Sequence, residues 1–217
     1  MTARKPAVQG RAGRIWLVRR LETARRAADL LDRKLRILQA ELARLQAAAA
    51  ETAAEWDRCQ AEARTWLLRA ALLGGERAVR LARDGQVADI QVSYGMTMGI
   101  RYPAEAVCIA PPALTWDSPV LAGARQAHRA ALAAAARHAA VTASERLVDD
   151  EVRVTMYRLR AVRDRWIPGL EQALAEVTFA IEELERADAA RLRLASGKRG
   201  GSLWCLSRLS LSTSPMA

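Results

Sequence analysis

Apolar residues from Leu17 to Leu73 recur in steps that alternate four and three. They are Leu17, Leu21, Ala24, Ala28, Leu31, Leu35, Leu38, Leu42, Leu45, Ala49, Thr52, Trp56, Cys59, Ala63, Trp66, Ala70 and Leu73, with Thr52 the one polar member. A 3.5-residue repeat kept over this length predicts a helix in a left-handed coiled coil, because the seam then stays turned toward one partner. At 1.5 Å per residue such an arm would be about 85 Å long. Gly74 and Gly75 interrupt the pattern. The helix bends there or continues, which sets a first helical segment over 11–83.

The period changes to two in the next segment, 84–119. Ala88, Ile90, Val92 and Tyr94 alternate with polar residues, and after Gly95 so do Met96, Met98, Ile100 and Tyr102. This predicts two short strands, a hairpin, with the turn near Gly95. Pro103, Pro111, Pro112 and Pro119 argue against regular helix. Some 35 residues make a small knob that needs support from neighbouring elements. A second helical segment is expected over 120–196. Its seam runs Val141, Val148, Val152, Thr155, Leu159, Val162 and Trp166, then steps by four twice to Leu170 and Leu174, and resumes through Val177, Ile181 and Leu184. Two fours in succession form a stutter, and Pro168 and Gly169 lie within it. One reading is a helix that continues with a proline kink; the other is a helix that ends at Trp166 and restarts with Pro168 in its first turn. The glycine- and serine-rich stretch 197–217 is expected to be disordered. The fold class is therefore mainly α: a long antiparallel two-helix coiled coil with a small β-hairpin knob between the helices, set away from both termini. Leu31, Leu38, Leu45, Leu159, Trp166, Leu170 and Ile181 are its key seam residues.

Charge sharpens this picture. The net charge is +10, and most of it falls in residues 1–83, whose arginines Arg19, Arg20, Arg25, Arg26, Arg33 and Arg36 crowd the first third of the arm. A basic arm suits an acidic protein surface, a membrane surface or nucleic acid; it is equally a solvated face. Cys59, Cys108 and Cys205 are far apart and form no CxxC pair, which fits a reducing compartment and gives no zinc or disulfide framework. No run of 18 apolar residues predicts a membrane span, and the basic N-terminus lacks the apolar core of a signal peptide.

Catalytic patterns are not evident. Gly197-Lys198 is followed by Arg199, so no phosphate-binding loop forms there. His128 and His138 lie ten residues apart with no ligand or base at helical spacing. Asp149, Asp150 and Glu151 are consecutive and point in different directions. Trp56, Trp66 and Trp166 fall on seam positions, where packing explains them; Trp16, Trp116 and Trp204 have no assigned role. No cofactor or metal is expected. Phosphate tracking by the basic arm is weakened by the interleaved Glu22, Asp29 and Asp32.

Three blocks carry a family resemblance. GRIWLVRRLETARRAADLLDRKLRIL, residues 13–38, resembles the opening helix of the D subunit of V-type and A-type ATPases and ATP synthases, through Arg19, Arg20, Leu21, Glu22, Ala24, Arg25, Arg26, Leu30, Leu31 and Lys34. SYGMTMGIRYP is similar to that family's M-G-x-x-x-P segment through Met98, Gly99 and Pro103. The block from Arg160 to Arg186 is similar to its I-P-x-L-E block through Ile167, Pro168, Leu170, Glu171, Ile181, Glu185 and Arg186. Gly169 departs from the pattern, and the stretch after Lys198 matches none of it.

The resemblance implies a non-catalytic central-stalk rotor subunit that transmits torque between a catalytic hexamer and an ion-translocating membrane ring. Implied partners are that hexamer, the small F subunit of the central stalk and a funnel-shaped subunit on the ring. Neither nucleic acid, membrane insertion nor homo-oligomerisation within the complex is implied, and location is cytoplasmic and peripheral to the membrane. On this view Arg19, Arg20, Arg25, Arg26, Glu171 and Arg186 are hexamer-contact candidates, Pro168 and Gly169 shape the shaft, and Met98, Gly99 and Pro103 mark the knob. Competing readings are a prefoldin-like coiled-coil chaperone, a basic coiled-coil nucleic-acid binder, and a gamma-type rotor, which would need a larger insert.

Overall fold

The computed structural model describes residues 10–82, 87–111 and 118–209, leaving aside the side chains of 197–209. Its elements are α1 (Gly10–Leu81), β1 (Asp89–Thr97), β2 (Ile100–Ile109), α2 (Pro119–Arg160), a six-residue π turn (Ala161–Trp166) and α3 (Ile167–Leu209). The protein is mainly α, with an antiparallel two-stranded hairpin between helices. Helix α3 runs to Leu209, beyond the boundary at 196, through a stretch whose composition predicts no regular structure. Residues 210–217, Pro112 and Trp116 lie outside the described residues. The chain divides into two compact units, Met1–Ala28 with Arg160–Ala217, and Asp29–Leu159.

In the second unit α1 and α2 pair antiparallel. Lys34 Nζ lies 2.5 Å from Glu151 Oε1, Arg137 donates to Glu55 at 2.8 Å, and Trp66 packs on Gly123. That last approach is close: a Cβ at Gly123 would stand 2.8 Å from the indole. Leu38, Leu45 and Ala63 are buried, Leu31 is half-buried, and Leu73 is 75% exposed, so the seam fades before the helix ends. Gly75, at φ 74° and ψ 162°, breaks the helical backbone just beyond it, a conformation open to glycine.

The hairpin turns at Met98 and Gly99, not at Gly95. Thr97 pairs with Ile100, and both turn residues have positive φ, 50° and 83°. Two residues of positive φ make the turn whose twist matches the strands. Gly95 instead sits in β1 opposite Tyr102, where a Cβ would come 3.3 Å from that of Ala104. The register slips once, Ser93 pairing Glu105 and Tyr94 pairing Pro103, which leaves Ala104 as the extra residue of a bulge. Pro103 is accommodated because bulges and edges need no ladder donor there.

Nor does the hairpin stand at the far end of the helix pair. It folds back along it. Tyr102 joins Leu38, Leu45, Val148 and Val152 in one buried cluster, and Ala106 joins Ala136 and Ala140 in another. This explains the alanine-rich run of α2. Ala134 and Ala136 are two residues apart, on opposite sides of a helix, yet both are buried. Small side chains let the helix be covered on both sides, and buried Ser144 donates to the carbonyl of Pro103.

Polar contacts fix the hairpin tip. Tyr102 OH donates to Glu41 Oε1 at 3.0 Å, and Arg44 holds the same carboxylate through Nη2 at 2.6 Å and Nε at 3.0 Å. The Arg44 hydrogen bonds bring the Glu41 pKa below its ordinary 4.5, burial opposes them, and Tyr102 adds to the lowering. Glu151 is lowered likewise, first by Lys34. A carboxylate with a depressed folded-state pKa contributes stability above its unfolded value and loses it as pH falls through the folded value. The thermal midpoint should therefore drop as pH falls below about 4.5. Glu41→Gln, which still accepts from Tyr102, should flatten that drop; equal slopes for both proteins in a pH series of melts would remove Glu41 from the account.

In the first unit α1 and α3 also run antiparallel, Arg11 bonding Glu185 at 2.8 Å and Arg25 bonding Glu171 at 2.7 Å. Leu17, Leu21, Ala24 and Leu170 form its buried cluster, with Ile167, Ala173, Leu174 and Val177 against it. Ile167, not Trp166, is the seam residue here. Trp166 is 49% exposed, and Leu184, also expected in the seam, is 62% exposed. The stutter is thus a single step of five, from Val162 to Ile167. The chain absorbs it as a π turn, in which the Ile167 N–H reaches the carbonyl of Val162, five residues back. Pro168 follows at once. Its missing donor comes where the α-helical ladder is already interrupted, so the helix continues through it.

Candidate partner-binding surface

The π turn builds a surface feature. One residue too many in the turn carries Trp166 out of the seam and onto the outside of the first unit. On α1, Trp16 and Arg20 are one turn apart and share a face. The Arg20 guanidinium lies over both indoles, 5.6 Å from the Trp16 ring centroid and 5.3 Å from that of Trp166. These separations are within cation–π range. A cleft of about 360 Å³ opens beside them, floored by Ala24, Ala27 and Val162 and edged by Arg19 and Thr23. No carboxylate lines it. Trp16 is 42% exposed, so two indoles face water across a basic, largely apolar groove. The spacing from Val162 to Ile167 was the sequence signal for this feature.

The basic residues singled out in the sequence divide into separate groups. Arg25 is tied to Glu171 across the helix pair, and Arg186 bonds Glu182 and Glu183 on its own helix. Arg26 approaches Glu22 at 3.9 Å. Arg19 and Arg20 make no ion pair among the described residues and meet at the cleft. Pro168 and Gly169 are exposed, and open space surrounds the position a Gly169 Cβ would take.

A different surface marks the second unit where the chain reverses between α1 and α2. Leu68, Leu72 and Leu73 are 64%, 84% and 75% exposed. Leucines bared to this degree make a candidate contact surface. On the hairpin, Met98 and Gly99 are exposed at the turn, Pro103 is half-buried, and Arg101 stacks on Tyr94 at 4.4 Å.

Among the described residues no cluster of histidine, cysteine, aspartate or glutamate is placed to hold a metal. His138 stacks on Trp56 at 5.6 Å and its Nδ1 lies 3.1 Å from Thr52 Oγ1. That hydroxyl already donates to a backbone carbonyl, so it accepts from the ring. This is a satisfied seam histidine. Among the described residues no helix is long and apolar enough to cross a membrane.

The family model for the ATP synthase D subunit matches residues 15–197. No curated protein matches the chain.

Proposed function

Since the chain belongs to the ATP synthase D-subunit family, a central-stalk family of V- and A-type rotary ATPases, and is thus a subunit of such a complex, we propose that it is the complex's non-catalytic shaft. It transmits torque between a catalytic hexamer and the ion-translocating ring in the membrane. The observation that carries this reading is the long apolar seam matched by the family model and paired antiparallel within each unit. Two helices joined along a seam resist twisting and bending better than one, which suits a part that must carry torque. ATP chemistry then belongs to the hexamer, and the complex associates peripherally with the membrane through the ring.

Partners follow from the surfaces. The first unit, with its excess of arginine, enters the hexamer. The bare leucines at Leu68, Leu72 and Leu73 seat on the funnel-shaped subunit of the ring, and the small F subunit binds alongside. Co-expression with the organism's hexamer subunits, candidate F subunit and funnel subunit, followed by affinity capture at two salt concentrations, tests this. One copy per hexamer is expected. Arg19→Glu with Arg26→Glu should weaken capture, and more so at low salt, because exposed charges are screened within about 10 Å at 0.1 M. A folded chain that captures none of these partners would overturn the reading. Capture indifferent to both charge and salt would remove the basic arm from it.

A further inference from the structure

We infer that the Trp16–Arg20–Trp166 cleft receives an acidic–apolar segment of a neighbouring protein subunit, a carboxylate side chain set beside a large aliphatic or aromatic one. The Arg20 guanidinium carbon lies over two indoles, 5.6 Å and 5.3 Å from their ring centroids. Stacking uses the faces of a guanidinium and leaves its N–H edge in plane to donate a forked pair of hydrogen bonds. Among the described residues that edge meets no acceptor within the chain, and Arg19 beside it has no ion pair. The described residues therefore present two cations at one groove and no carboxylate lines it.

The apolar half of the site selects the rest of the occupant. The groove of about 360 Å³ is walled by Ala24, Ala27, Val162 and the two indoles, large enough for one bulky side chain. Exposed tryptophan and arginine are the residue types that dominate binding energy when a partner desolvates them. A nucleic-acid backbone fits less well. It would bring phosphates at regular spacing past Glu22 and Asp164, which neighbour the cleft in sequence, and would leave the apolar floor unfilled. Only the source of the segment, a subunit of the same assembly, rests on the function proposed above; the chemistry of the cleft does not.

The test uses the full chain carrying 5-fluorotryptophan, its fluorine resonances assigned with Trp16→Phe and Trp166→Phe. It is titrated with an acetylated peptide alternating glutamate and leucine, the same peptide with glutamine for glutamate, and a single-stranded oligonucleotide. The acidic peptide is expected to shift the Trp16 and Trp166 signals saturably and the glutamine peptide to leave them in place. Arg20→Lys, which keeps the charge and loses the flat fork, should weaken binding about tenfold with unchanged circular dichroism. Equal shifts from both peptides, or none up to millimolar acidic peptide, would overturn the inference. Tighter binding of the oligonucleotide at the same two resonances would replace it with a nucleic-acid site. Capture of the hexamer by wild-type chain without peptide binding leaves the shaft reading standing and the cleft refuted; peptide binding without capture does the reverse.

Discussion

Replacing Leu38 by alanine is expected to lower the stability of the second unit by about 3 kcal/mol. Leu38 has no exposed surface and belongs to a cluster with Leu45, Tyr102, Val148 and Val152, drawn from α1, the hairpin and α2. A large-to-small change costs the lost transfer energy plus a cavity term, and the cavity term depends on how far the walls can close. Here they are held from three sides. Tyr102 is pinned by Glu41 and Thr97, Lys34 ties α1 to Glu151 of α2, and the hairpin is fixed to α2 through Ser144 and Pro103. Leu42→Ala, at a half-buried position beside the same cluster, should cost about half as much, since less surface leaves water. Denaturant midpoints followed by circular dichroism would report both. A loss below about 1 kcal/mol for Leu38 would mean that the hairpin closes over the gap and is not fixed as described.

This three-element junction also marks the limit of what the sequence reveals. The period of 3.5 on α1 is legible because a long seam needs only one kind of partner along its length, and Leu17, Leu21, Leu38 and Leu45 are buried where it places them. The alternation over 88–102 is legible as strand for the same reason. The turn is not. Tyr94-Gly95 and Met98-Gly99 both offer a glycine, and pairing rather than local propensity decides between them. The bulge at Ala104 was equally hidden, and it shifts the pairing by one residue: Tyr102 and Ala106, four apart and both inward on β2, lie opposite Gly95 and Val92, three apart on β1. The alanine run of α2 looks like a weak seam when only one partner is imagined. It becomes intelligible once the hairpin supplies a second. At the cleft, Trp166 fits a seam position when steps of four are counted, and only the competing step of five to Ile167 moves it outside. Apolar periodicity alone could not choose between them, because both residues are apolar.

Deleting Gln172 is expected to destabilise the first unit by about 4 kcal/mol or more, while deleting Asp164 together with Pro168→Ala should change it by no more than about 1 kcal/mol. Gln172 lies in regular helix, where the loss of one residue rotates everything downstream by 100°. Leu174, Val177 and Ile181 would leave the face that meets Leu17 and Leu21, and Ala175, Thr178 and Glu182 would take their places. A carboxylate would then stand where buried Ile181 packs. Asp164 is different. It lies in the π turn, and its removal turns the step of five between Val162 and Ile167 into a step of four. The sequence of steps from Leu159 to Ile181 then alternates three and four without a fault, the repeat of an uninterrupted coiled coil. Pro168→Ala returns the backbone donor that a regular helix requires at that point. Comparable losses from the two deletions would show that the π turn is not an inserted residue within a continuous seam. Unequal losses in the direction stated would show that the seam tolerates an extra residue at this one place, where the surplus side chain is the tryptophan of the cleft.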